Sequence, residues 1–139
     1  MSSPHPWIAS YPPALRWDSE IGVRPVPQIL DEACARWPDR AAIDFMGRQF
    51  SYSEVGDLVA RAAKGLQALG VGPGVHVGLY LANTPHYLIS FFAVLKAGGV
   101  VVNYSPLDAE KVLEHKIGDR QTDILITLDF QALYPQMDR

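Results

Sequence analysis

The sequence predicts an α/β domain in which a short parallel sheet lies between helices, and two observations lead to this expectation. Three short apolar runs, near 75–81, 100–103 and 124–128, have the length and composition of buried strands. The segments between them carry the apolar spacing and the capping residues of helices. Because such alternation is typical of parallel strands covered on both faces, we expect right-handed crossovers and a partial three-layer arrangement, preceded by a small hairpin.

The first 24 residues are predicted to form an extended arm. Seven of the eleven prolines and all three tryptophans lie before residue 39, so a regular sheet does not begin there. After Pro25 and Pro27, apolar residues recur at helical spacing and predict a short amphipathic helix that ends near Pro38. These apolar residues are Val26, Ile29, Leu30, Ala33 and Trp37.

A hairpin and a long helix are predicted next. The strand candidates 41–46 and 49–52 flank Gly47-Arg48, a pair typical of a turn. Ser51 and Glu54 then have the spacing of a capping box, and an apolar helical face follows as far as Gly70.

Two more helices are expected between the strand candidates. Thr84 offers an N-cap followed by Pro85 at the first helical position, and the segment through Lys96 is apolar almost all round. We therefore expect that helix to be covered on most sides, and we interpret the apolar run 87–104 as two buried elements rather than one membrane span. Asp108 is expected to cap a helix that continues to about Gly118.

Composition excludes several classes of protein. Of the 139 residues, 48% are hydrophobic and 19% charged, which excludes a disordered chain. The net charge of −3 shows no excess of basic residues of the kind that binds nucleic acid. Cys34 is the only cysteine, so no intrachain disulfide is possible. With no signal-peptide pattern at the N-terminus, we expect a cytoplasmic protein.

The glycines and histidines give no catalytic motif. The glycines between Gly70 and Gly78 follow a helix and open a strand, the reverse of the order in a phosphate-binding loop, so we interpret them as a helix stop and a turn. The histidines lack the spacing of metal ligands and are interpreted as ordinary surface or boundary residues. They are His5, His76, His86 and His115.

The remaining candidates are equally weak as reacting groups. Cys34 is expected to fill the core beside the first helix, and Asp31-Glu32 to lie on a solvated helix face. Nothing in the sequence makes the other candidate carboxylates converge on a cleft; they are Asp44, Asp57, Asp119 and Asp123. Asn83-Thr84 follows a strand and precedes a helix, where α/β folds bind ligands, but capping is the favoured interpretation. The sequence therefore predicts no catalytic, cofactor-binding or metal-binding residue.

Four strings together resemble a known family. LANTPHYLISFFAVLKAGGVVVNYSPL, residues 81–107, is similar to a segment of the adenylate-forming, AMP-binding superfamily. GRQFSYSEV (47–55) and ALGVGPGVHVGLYLAN (68–83) resemble the two motifs that precede it there, in the same order. PWIASYPP (6–13) is similar to the opening of bacterial long-chain fatty-acid CoA ligases.

This resemblance implies a parent enzyme that uses ATP and Mg²⁺ to convert a fatty acid to an acyl-adenylate and then transfers the acyl group to coenzyme A. Residues 25–139 would form the N-terminal portion of its large domain, without the family's nucleotide motifs or C-terminal domain. The chain alone is therefore expected to be inactive and to bind no cofactor. The alternative is a free-standing α/β binding or interaction module.

Two further expectations concern substrate and assembly. Residues 103–106 and His76 depart slightly from the family's pattern, which leaves the exact substrate open. A parallel sheet of three strands has open edges, so we expect a homodimer or a higher oligomer.

Overall fold

The computed structural model of the chain describes residues 5–129, so the last ten residues of the predicted 25–139 segment and the first four of the arm lie outside it. Within the described residues the chain forms four α-helices and five β-strands, after a 3₁₀ turn at Pro6–Ser10. In chain order they are α1 (Val26–Arg36), β1 (Ala41–Phe45), β2 (Arg48–Ser51), α2 (Tyr52–Ala68), β3 (His76–Tyr80), α3 (Pro85–Ala97), β4 (Val100–Tyr104), α4 (Glu110–Asp119) and β5 (Ile124–Thr127).

The last three strands form a parallel sheet in the order β4-β3-β5, which confirms the predicted fold class. Side chains alternate across the sheet, as the pleat of a strand requires. Val77 and Leu79 on β3 pack in the same core as residues of α2 and α3, whereas Tyr80 packs with Leu113 of α4. The sheet is thus covered by helices on both faces, as predicted.

The larger core lies between the sheet and the pair α2 and α3. Its buried members come from both helices, the loop after α2, the sheet and α1, and burying their apolar surface is the main force that holds these elements together. They are Leu30, Val55, Val59, Ala63, Leu66, Val71, Val77, Leu79, Leu81, Ala93, Val94 and Ala97.

The smaller core lies on the opposite face, under α4. Tyr80, Tyr104 and Leu113 are almost fully buried there. The Tyr104 hydroxyl is hydrogen-bonded to that of Thr122, so the ring is tied to the segment that leads into β5. This core fixes α4 against the end of the sheet at which β3 and β4 stop.

The hairpin of β1 and β2 is present, with its turn one residue earlier than predicted. Met46 and Gly47 form the turn, at φ of 51° and 81°, and Arg48 is already paired with Phe45. Positive φ at both central positions is typical of a type I′ turn, whose twist matches that of the flanking strands.

Local capping interactions set the start of α2 and the end of α3. The capping box is confirmed: the Glu54 amide donates to Ser51 Oγ at 3.2 Å, and the Ser51 amide donates to the Glu54 carboxylate at 2.7 Å. α3 ends at Gly98, in the left-handed conformation at φ 94°. Gly99 leaves no space for a side chain, because a Cβ there would lie 2.8 Å from Val71 Cγ1.

Two expectations about the helices are wrong in detail. Asp108 does not cap α4, whose N-cap is Ala109; instead its carboxylate accepts a hydrogen bond from Lys116 Nζ at 2.7 Å. A charge-assisted bond is stronger than a neutral one, which explains why Asp108 faces Lys116. α3 is also covered less than predicted, since Phe91 and Phe92 are only half-buried.

The arm leads from the 3₁₀ turn to α1. After the 3₁₀ turn, the chain runs without regular structure to Val26, and Arg24 pairs with Glu32 of α1 at 2.6 Å. No helix in the part of the chain that the structure describes has both the length and the hydropathy needed to cross a bilayer.

Candidate functional site

A crevice of about 630 Å³ lies where β3 and β4 end. The helices that follow these neighbouring strands pack on opposite faces of the sheet, α3 with one core and α4 with the other. Ligands in open α/β sheets bind at such a topological switch point, outside the carboxyl ends of the strands. Its lining residues are Leu81, Ala82, Asn83, Tyr87, Asn103, Tyr104, Ser105, Pro106, Leu107 and Lys116.

The polar groups of the crevice are largely oriented by one another. The Tyr87 hydroxyl donates to Asn103 Oδ1 at 3.1 Å, which joins the first turn of α3 to the end of β4. Ser105 Oγ accepts a hydrogen bond from the Leu107 amide at 3.2 Å. These bonds fix the Asn103 side chain and the turn after β4 at the mouth of the crevice.

The cation in the crevice is neutralised. Lys116 Nζ donates to Asp108, and this hydrogen bond, together with the lysine's charge, holds the pKa of the Asp108 carboxyl below its usual range. Because the lysine already has a carboxylate partner, the crevice mainly presents uncharged amide and hydroxyl groups to a ligand.

The Asn83-Thr84 pair is divided between two roles. Asn83 lines the crevice and is exposed. Thr84 occupies the N-cap position of α3 but makes no capping hydrogen bond, and its buried Oγ1 has no hydrogen-bond partner. Pro85 at the first helical position, whose φ suits a helix, therefore defines the start of α3 without help from the threonine side chain.

A second cavity, of about 460 Å³, follows the outer edge of β4 and is lined in part by His76, Lys116 and Arg120. His76 Nδ1 is hydrogen-bonded to the Arg120 carbonyl at 2.7 Å, and the His76 amide donates to the Asp123 carboxylate at 2.8 Å. These contacts join the start of β3 to the residues between α4 and β5, so His76 and Asp123 have structural partners.

The other candidates lie apart from the crevice. The Cys34 thiol donates to the Tyr52 carbonyl at 3.1 Å, and burial raises its pKa, which disfavours the reactive thiolate. Asp44 accepts a hydrogen bond from Gln49. Across residues 5–129, no group of three or more histidine, cysteine or acidic side chains is placed to hold a metal ion.

The rest of the predicted surface residues have ordinary environments. Asp31 pairs with Lys96 at 2.6 Å, and Glu32 pairs with Arg24. All of these are exposed, as are Asp57, His86, His115 and Asp119. The crevice residues Tyr87, Asn103 and Lys116 were missed by sequence reasoning, although Asn103, like Asn83, follows closely on an apolar strand run.

Comparison with known proteins matches this chain to one family. A family model described as AMP-binding enzyme matches residues 30–138. The long-chain-fatty-acid–CoA ligase of Bacillus subtilis is 35% identical over 136 residues, which cover 98% of this chain and 24% of the ligase. The salicyl-AMP ligase of Mycobacterium tuberculosis is 36% identical over 103 residues, covering 70% of this chain and 18% of that protein. The chain thus spans about a quarter or less of the length of these relatives.

Solved structures share the fold. The N-terminal subdomain of Klebsiella oxytoca NpsA aligns with a TM-score of 0.74 and 28% identity over 78% of this chain and 29% of that one. The N-terminal domain of FACL13 from Mycobacterium tuberculosis aligns with a TM-score of 0.77 over 84% of this chain and 29% of that one, at 21% identity. The predicted resemblance is confirmed: this chain belongs to the AMP-binding enzyme family.

Proposed function

We propose that this chain forms the first part of the AMP-binding domain of a long-chain fatty-acid CoA ligase. The parent enzyme would activate a fatty acid with ATP and Mg²⁺ to an acyl-adenylate and then form the thioester with coenzyme A. One observation carries the proposal: the match to the Bacillus subtilis ligase covers 98% of the chain and so includes nearly all of the arm, whereas the family model begins at residue 30.

We infer that the sites for ATP and Mg²⁺ lie outside residues 5–129. Lys116, the lysine of the crevice, is already engaged by Asp108 and so gives a triphosphate no unpaired positive charge. The glycine turn at 70–74 leads from α2 into β3 and presents no helix N-terminus. The proposal therefore gives this chain a scaffolding role, with the reacting groups of the ligase outside residues 5–129.

Segment exchange tests the proposal. The aligned segment of the Bacillus subtilis ligase is replaced by this chain, and thioester formation from a long-chain fatty acid, ATP and coenzyme A is measured. We expect the chimera to keep the activity, because the chain supplies the same scaffold and arm. The same exchange into the salicyl-AMP ligase serves as the matched control and should impair that enzyme more.

A second candidate is adenylation of an aromatic or amino acid. It is favoured by the 36% identity to the salicyl-AMP ligase and by the fold shared with NpsA. Activity retained only in the salicyl-AMP ligase chimera would favour this candidate, and activity in neither chimera would favour the free-standing binding module. The 139-residue chain alone is expected to form no acyl-adenylate; fatty-acid-dependent release of pyrophosphate by it would contradict the scaffolding role.

Location and assembly follow as parts of the same proposal. A cytoplasmic enzyme would have access to ATP and coenzyme A, and Cys34 would remain a thiol there.

Within the described residues, the outer edges of β4 and β5 pair with no other strand. Such open edges support self-association of the isolated chain, which light scattering would detect as a mass above that of a monomer.

A further inference from the structure

We draw no further inference here: the strongest candidate, the groove between α2 and α3 that is lined in part by Arg61, Lys64 and Lys96, carries none, because the chain covers 24% of the Bacillus subtilis ligase and nothing in residues 5–129 shows what covers this groove in the whole protein.

Discussion

Gly78 lies at the centre of the parallel sheet, where a larger side chain has no space. A Cβ at this position would lie 2.6 Å from both Leu125 Cδ1 and Tyr104 Cε2, and 3.0 Å from Thr122 Cγ2. These atoms reach residue 78 from the β4 and β5 sides of the strand. We therefore predict that Gly78→Ala destabilises the protein.

The magnitude follows from which neighbours can move. Leu125 Cδ1 is the end of a flexible side chain, whereas the Tyr104 ring is 4% exposed and is tied by its hydroxyl to Thr122. Overpacking a core costs about 1–3 kcal/mol, and replacing glycine by alanine in a strand offsets roughly 0.5–1 kcal/mol of that. The expected net loss in the free energy of unfolding is about 1–2 kcal/mol.

Urea unfolding followed by far-ultraviolet circular dichroism measures this loss, since all three tryptophans lie outside the sheet. Gly65→Ala is the matched control: a Cβ there meets nothing within 4 Å inside α2, so it should stabilise the protein by about 0.5–1 kcal/mol. If Gly78→Ala is as stable as the wild type while Gly65→Ala behaves as expected, the close approach at the centre of the sheet is not tight and the reasoning is refuted.

The remaining predictions concern caps and titrating groups. Ser51→Ala should cost about 1 kcal/mol in urea unfolding because it removes half of the capping box, whereas Thr84→Val should be neutral or stabilising because the hydroxyl has no partner. Cys34 should react with a thiol reagent more slowly than in the urea-unfolded chain at neutral pH, because burial raises its pKa; equal rates would contradict this. The pKa of Asp108 is lowered below 3.8 by Lys116, so the stability from their pairing is present above that pH and is lost as the pH falls further. In the Asp108→Asn variant, the free energy of unfolding should therefore fall less steeply at acid pH than in the wild type. An equally steep fall would exclude the pairing of Asp108 with Lys116 as its source.

Most of the fold was predictable because its signals are local. A strand buried on both faces is apolar throughout, so β3 and β5 are visible as short runs, and Ser51 and Glu54 specify the start of α2 within four residues. The errors occur where tertiary contacts override a local preference. Asp108 has the residue type of an N-cap, but Lys116 lies two turns further along α4 and offers its carboxylate a charged partner.

The crevice was only half predictable for the same reason. Asn83 could be placed at the carboxyl end of a strand from sequence order alone. The bond between Tyr87 and Asn103 joins residues 16 positions apart, and it forms because β4 lies parallel to β3 in a register that places its end beside α3. Nothing in a local pattern specifies that register, so the hydrogen bonds that orient the crevice had to come from the structure.

The arm differs from the folded core in how much of its apolar surface is buried. Leu30 is the first buried residue along the described chain, and the matched family model begins at the same position. From His5 to Ile29 no residue is buried, so this segment contributes little apolar burial to the stability of the sheet and its helices. A tryptophan that packs in a core is explained by stability, but Trp7 and Trp17 are half exposed and stabilise little besides their own cluster with His5. The apolar surface of the two tryptophans is therefore available for contact with groups outside residues 5–129.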